Sequence, residues 1–219
     1  MKYFLLFFLF LSLDINSQIS FKASYSYATH GEVTDIVVAN GGEKGFLANN
    51  FRLNAGYQIK IPETSMSFIP GISARYSRSD FGYVDYGMIS FGFELPFKFF
   101  PFNMEGDCNC PDFSLRNKFF EKHFFLQVNS GLFYNFFNSQ FDENVQNVIR
   151  KQNNLSVFLG VGAGISIPFG KNFILSPAIN YLYFFNDKWD RGFLFMDSSE
   201  MKTNHPEYEL ELRTIYYFK

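Results

Sequence analysis

FRLNAGYQIKI, residues 51–61, alternates without a slip. Phe51, Leu53, Ala55, Tyr57, Ile59 and Ile61 share one parity; Arg52, Asn54, Gly56, Gln58 and Lys60 share the other. A period of two places successive side chains on opposite faces of a β-strand. A tilted strand crosses a bilayer in about 9–11 residues, so the stretch is long enough to span.

The same pattern recurs along the chain. Upstream, Phe21, Ala23, Tyr25 and Tyr27 oppose Ser20, Lys22, Ser24 and Ser26 within 19–27. Downstream, Phe68, Pro70, Ile72, Ala74 and Tyr76 oppose Gly71, Ser73 and Arg75 within 68–77. Residues 89–99 set Ile89, Phe91, Phe93, Leu95, Phe97 and Phe99 against Ser90, Gly92, Glu94 and Lys98. Residues 124–136 set Leu126, Val128, Leu132, Tyr134 and Phe136 against Gln127, Asn129, Gly131 and Asn135. Residues 155–169 set Val157, Leu159, Val161, Ala163, Ile165 and Ile167 against Ser156, Gly160, Gly162, Gly164 and Ser166. In 173–185 the pattern is impure, because Leu182 and Phe184 fall on the polar face. Residues 208–218 restore it, with Tyr208, Leu210, Leu212, Tyr216 and Phe218 opposite Glu209, Glu211 and Arg213. The expected fold is all-β: an eight-stranded, up-and-down, antiparallel transmembrane β-barrel.

The connections fit that fold. Those after strands two and six are short, at 62–66 and 170–172. Those after strands one, three, five and seven run about 28–50, 78–88, 138–154 and 186–207. Short inner turns and long outer loops are usual for such barrels. The stretch 101–118 is long for an inner turn and has no role assigned to it.

Composition points the same way. Aromatic residues make up 21% of the 219-residue chain, yet its mean hydropathy is only −0.07, which requires fine alternation of the two characters. A net charge of −2 gives no basis for a nucleic-acid partner. Residues 1–17 read as a secretory signal peptide: Lys2 is the basic start, YFLLFFLFLSL (3–13) the apolar run, and Ser17 the small residue before the cut. That run is too short for a spanning helix, which needs about 20 residues, and no later stretch is long enough. Residues 18–219 then form the barrel domain, exported to the outer membrane.

Alternation does not say which face is inside. Volume does. The interior of an eight-stranded barrel is just filled by side chains, and the large apolar residues of eight strands do not fit there. The other face carries Gly56, Gly71, Gly92, Gly131, Gly160, Gly162 and Gly164, which suit a narrow lumen. The apolar face therefore meets lipid, with Phe97, Phe99, Phe100, Tyr181, Tyr183, Tyr216 and Phe218 as candidates for the interfacial girdles. Inside, Lys22, Arg52, Lys60, Arg75, Lys98 and Arg213 face Glu94, Glu209 and Glu211, and a paired network would plug the barrel.

The signal peptide, the eight alternating segments and the aromatic end of the last strand (Tyr216-Tyr217-Phe218) resemble the PorT-like outer-membrane β-barrel proteins of Bacteroidetes. The resemblance covers residues 18–219 and implies insertion by barrel-assembly machinery. It permits a role accessory to secretion.

No catalytic, cofactor-binding or metal-ligating residue is assigned. Gly160-x-Gly162-x-Gly164 has the wrong spacing for a phosphate loop and lies on a strand. Cys108-x-Cys110 could close a strained, reducible local disulfide; a metal would need further ligands. Closure of strand one on strand eight brings the flanking loops together, so His30, Glu32, Asp35, His205 and Glu207 could meet at the outer rim as a metal or acid–base site, although solvated loop histidines are commoner. His123 falls at the inner end of strand five. Trp189, Phe193 and Phe195 in the last loop are candidates for anchoring a partner or meeting lipid headgroups. The expectation is a non-enzymatic envelope scaffold or interaction protein whose partners are lipid and a protein reached through the outer loops. The alternatives are a lipid-modifying barrel enzyme and a narrow pore.

Overall fold

A computed structural model gives eight antiparallel strands closed into one barrel. It describes residues 18–31, 35, 38, 47–61, 64–81, 84–101, 123–141, 149–170, 172–190 and 200–218. Strand β1 is Gln18–Ala28; β2 is Asn49–Tyr57 and Ile59–Lys60; β3 is Met66–Phe68 and Gly71–Phe81; β4 is Val84–Glu94 and Phe97–Phe99. Strand β5 is Phe124–Phe141; β6 is Ile149–Ile165 and Ile167–Phe169; β7 is Phe173–Asp190; β8 is Glu200–Tyr217. Each strand pairs with the next, and Gln18 opposite Tyr217 closes β1 onto β8.

The breaks in β3 and β4 fall at Pro70 and Pro96, which have no N–H to give the ladder. The register runs through them unchanged: Gly71 opposes Glu94 and, past both prolines, Phe68 opposes Phe97. Between β6 and β7 the chain turns at Gly170, whose φ of +68° lies in the left-handed region that glycine enters without strain. Tyr57 N–H reaches Pro70 O at 3.0 Å, and Tyr217 N–H reaches Asn172 O at 2.9 Å, holding the inner turns to the barrel.

The apolar parity points outward on all eight strands. Ile72 is 71% exposed, Ile179 66% and Leu210 60%, while Ser20, Ser90, Lys98 and Arg213 on the opposite parity are fully buried. Such a surface is stable only in hydrocarbon, so the exterior is a lipid belt. Exposed Tyr25, Tyr27, Tyr76, Tyr134, Tyr181 and Tyr208 ring its outer end; Phe169, Phe173, Tyr216 and Phe218 lie at its inner end. Phe100, expected in the girdle, instead turns over the inner mouth, its ring 5.8 Å from that of buried Phe125. Changing Leu212, midway along the lipid-facing part of β8, to arginine is expected to cost about 2–4 kcal/mol of stability in a bilayer, a depth-dependent penalty to be read by urea unfolding in liposomes.

The strands extend further outward than hydrophobicity alone indicates. β5, β7 and β8 run 18 residues each. Pairing reaches Phe81 opposite Val84, Gln140 opposite Ile149 and Asp190 opposite Glu200, so much of the expected loops 78–88, 138–154 and 186–207 is hairpin. Beyond the membrane neither face meets lipid, so the period-two signal fades while the backbone ladder continues. Trp189 accordingly lies in β7 opposite Met201. Residues 1–17, Glu32, Cys108, Cys110, Phe193 and Phe195 lie outside the described residues.

Candidate functional site

The lumen is filled in two layers. One is an ion network. Arg52 lies at 2.8 Å from Glu207, 2.9 Å from Glu209 and 3.5 Å from Glu94. Lys22 meets Glu94 at 2.6 Å and Glu209 at 3.7 Å, Arg75 meets Glu207 at 2.7 Å, and Arg213 meets Glu211 at 2.7 Å. Neutral groups take up remaining oxygens: Ser24 donates to Glu209 at 2.8 Å, and Asn180 donates to Glu209 and Glu211 at 2.9 Å. Every charge expected in the lumen is there except Lys60, which is exposed at the inner mouth, and Glu207 joins them. Charges so far from water are tolerated only when paired and hydrogen-bonded.

The second layer is apolar. Phe133, Phe158, Leu182 and Phe184 are all buried and form one cluster. Phe158 stacks between Phe133, at 5.7 Å between ring centroids, and Phe184, at 5.2 Å. Arg52 lies over Phe133 and Phe158 at 5.1 and 5.6 Å, and Arg75 over Phe184 at 4.9 Å, so guanidinium–ring contacts join the two layers.

Three lumenal glycines make room for this cluster and a fourth for Phe125. Gly92 faces Phe133, Gly131 faces Phe158, Gly160 faces Leu182 and Gly164 faces Phe125 across neighbouring strands. A methyl group on Gly131 would stand 2.6 Å from the Phe158 ring, and one on Gly164 2.5 Å from Phe125. Each of these four glycines is the seat of a large neighbour. Gly131→Ala is therefore expected to destabilise the barrel by about 1–3 kcal/mol through overpacking, measurable as a lower urea midpoint.

His30 and His205 do come together, with ring centroids 4.0 Å apart, and His205 stacks flat on Phe184 at 4.9 Å. They do so inside the lumen rather than at a solvated rim: both are buried. Burial and the Arg75 charge push the His30 imidazole down to about 4, so it is neutral at physiological pH. Glu207 is engaged by Arg52 and Arg75, and Asp35 is exposed. Among the described residues no group of three His, Cys, Asp or Glu is placed to hold a metal. The pair extends the aromatic plug outward.

The barrel opens at its inner mouth. A cavity of about 430 Å³ opens there, lined among others by Gln58, Lys60, Ser67, Lys98, His123 and Tyr217. His123 O accepts from Ser166 N–H at 2.8 Å, which ties the start of β5 to the end of β6.

The chain matches no described protein family and no curated protein. Among solved structures, it superposes on Neisserial surface protein A with a TM-score of 0.50 and 13% identity, covering 93% of this chain and 97% of that one. Ail, the attachment invasion locus protein of Yersinia pestis, solved with the heparin analogue sucrose octasulfate, gives 0.49 and 12%, over 94% and 100%. A major outer membrane protein from Thermus thermophilus gives 0.47 and 13%, over 92% and 99%. The likeness to the Neisserial protein is one of fold. The chain is an eight-stranded barrel of the outer-membrane type, and its lipid-facing belt and polar, filled interior give it its place in the outer membrane.

Proposed function

We propose that the protein is a non-enzymatic outer-membrane scaffold that presents its outer hairpins to a protein partner of the envelope. The observation that carries this reading is the filled lumen: ion network and aromatic cluster occupy it together, and little is left for a solute path. What remains available is the outside. The long strands β5–β8 lift polar positions such as Asn138, Lys151, Asn153 and Asn204, all exposed, beyond the lipid belt. A rigid wall carrying exposed polar tips suits recognition.

A role accessory to secretion, in the manner of the PorT-like barrels, is one form of this proposal, with residues 1–17 as the export signal. A lipid-modifying enzyme is disfavoured by the histidines: His30 and His205 are buried in the lumen and His123 lines the inner cavity, so none stands at the lipid-facing rim. The test is photocrosslinking in cells from positions 151, 153 and 204, with position 210 in the belt as control. The expected result is one discrete protein adduct from the hairpins and none from the belt, with unchanged lipid A in a deletion strain. No adduct together with altered lipid A would replace the scaffold by the enzyme, and stepwise conductance in planar bilayers would replace it by a pore.

A further inference from the structure

Among the described residues, the buried charges of the lumen balance except for one. Lys22, Arg52, Arg75 and Arg213 stand against Glu94, Glu207, Glu209 and Glu211, four cations to four carboxylates. Lys98 is the fifth buried cation. It is fully buried, its Nζ has no hydrogen-bond partner, and no ion pair reaches it among the described residues. Glu211 is already held by Arg213 and by hydrogen bonds from Gln127 and Asn180. The ammonium feels the Glu211 carboxylate only at a distance, with no ion pair formed, and lies 4.0 Å from the centre of the Phe125 ring. A ring face offsets only part of the cost of burying a charge.

Lys98 lines the inner-mouth cavity, and the rest of that cavity suits an anion. Its described lining contains a second cation, Lys60, whose Nζ sits 5.1 Å over the Tyr217 ring, and it contains no carboxylate. Ser65, Ser67 and Ser166 contribute hydroxyls, while that of Thr64 is given to Ile61 O. Two ammonium groups with surrounding hydroxyl donors match a tetrahedral oxyanion, whose several acceptors form short charge-assisted hydrogen bonds. The mouth also lies at the inner end of the lipid belt, where headgroups sit.

We infer that the inner mouth of the barrel is a phosphate-binding site, with Lys98 meeting the anion from the buried side and Lys60 from the rim. The phosphate belongs to an inner-leaflet phospholipid headgroup or to a soluble periplasmic phosphate compound; both present the same oxyanion.

The experiment uses the chain refolded in maltoside micelles with its lysine Nζ atoms ¹⁵N-labelled. One arm titrates inorganic phosphate against chloride at matched ionic strength. The other adds short-chain phosphatidylglycerol to the micelle. The expected result is a saturable shift of the Lys98 signal that chloride does not produce. Lys98→Met should weaken binding at least about tenfold, the worth of a charged hydrogen bond. A response to phosphate marks a soluble ligand; a response to phosphatidylglycerol alone marks a headgroup. Failure of both probes to give a saturable shift, or a Lys98→Met protein that binds like the wild type, overturns the site. If Lys98→Met does not fold, exposed Lys60→Ala decides: weaker binding of the effective probe supports the site and unchanged binding overturns it.

Discussion

Replacing Arg52 by methionine lowers the stability of the refolded barrel by roughly 3–5 kcal/mol, the usual cost of removing one member of a buried ionic cluster. Arg52 touches three carboxylates, Glu94, Glu207 and Glu209, and its guanidinium also covers the Phe133 and Phe158 rings. Without it, Glu207 keeps Arg75, while Glu94 and Glu209 share Lys22. At least one negative charge is then left in a space with little water. Methionine keeps most of the volume, so the loss reports charge rather than a cavity. Adding Glu209→Gln to the Arg52→Met variant should restore part of the loss, because it removes a carboxylate that no longer has its guanidinium. Urea unfolding in micelles, read by the gel shift between folded and boiled protein, measures both. A loss below about 1 kcal/mol would mean that water reaches the network and solvates it like a surface pair.

Phe158→Ala should cost a similar amount, about 3–5 kcal/mol, for a different reason. Its ring is 1% exposed, stacks on both Phe133 and Phe184, and fills the space that Gly131 leaves open. Truncation leaves a void that rigid strands cannot close. The void is lined on one side by arginine, so water can enter it, but the ion network beside it still occupies the lumen. The variant should therefore be less stable and still non-conducting in planar bilayers. Clear channels from this single change would show that the aromatic layer alone closes the barrel.

The membrane-spanning fold was legible because lipid imposes a rule on every second residue. Phe51 to Ile61 or Tyr208 to Phe218 cannot slip by one position without turning charges into hydrocarbon. The lumenal charges were legible for the same reason, as the other parity of the same strands. The aromatic layer was not. Leu182 and Phe184 read as defects in the alternation of β7, and nothing within β5 or β6 alone sets Phe133 and Phe158 apart from the many other phenylalanines. A signal was present in the glycines: Gly92, Gly131, Gly160 and Gly164 each lie opposite an inward apolar residue, but that pairing depends on register between strands, which alternation within one strand does not fix. The meeting of His30 and His205 followed from barrel closure alone, whereas their burial depended on Phe184, which gives His205 a ring to stack on. Glu207 reads as outer loop in the sequence because the apolar alternation stops near Tyr208, although β8 continues to Glu200.

The central claim is the inside-out assignment of the two faces, and a spin-label scan of β8 tests it most directly. With Cys108 and Cys110 replaced by serine, single cysteines are introduced and labelled at each position from 208 to 213 in protein reconstituted into liposomes. Oxygen, which concentrates in hydrocarbon, should relax the labels strongly at 208, 210 and 212, and neither oxygen nor a water-soluble nickel complex should reach those at 209, 211 and 213. The opposite alternation, with the even positions shielded from oxygen and the odd ones open to the nickel complex, would contradict the assignment and make the aromatic face the core of a soluble barrel.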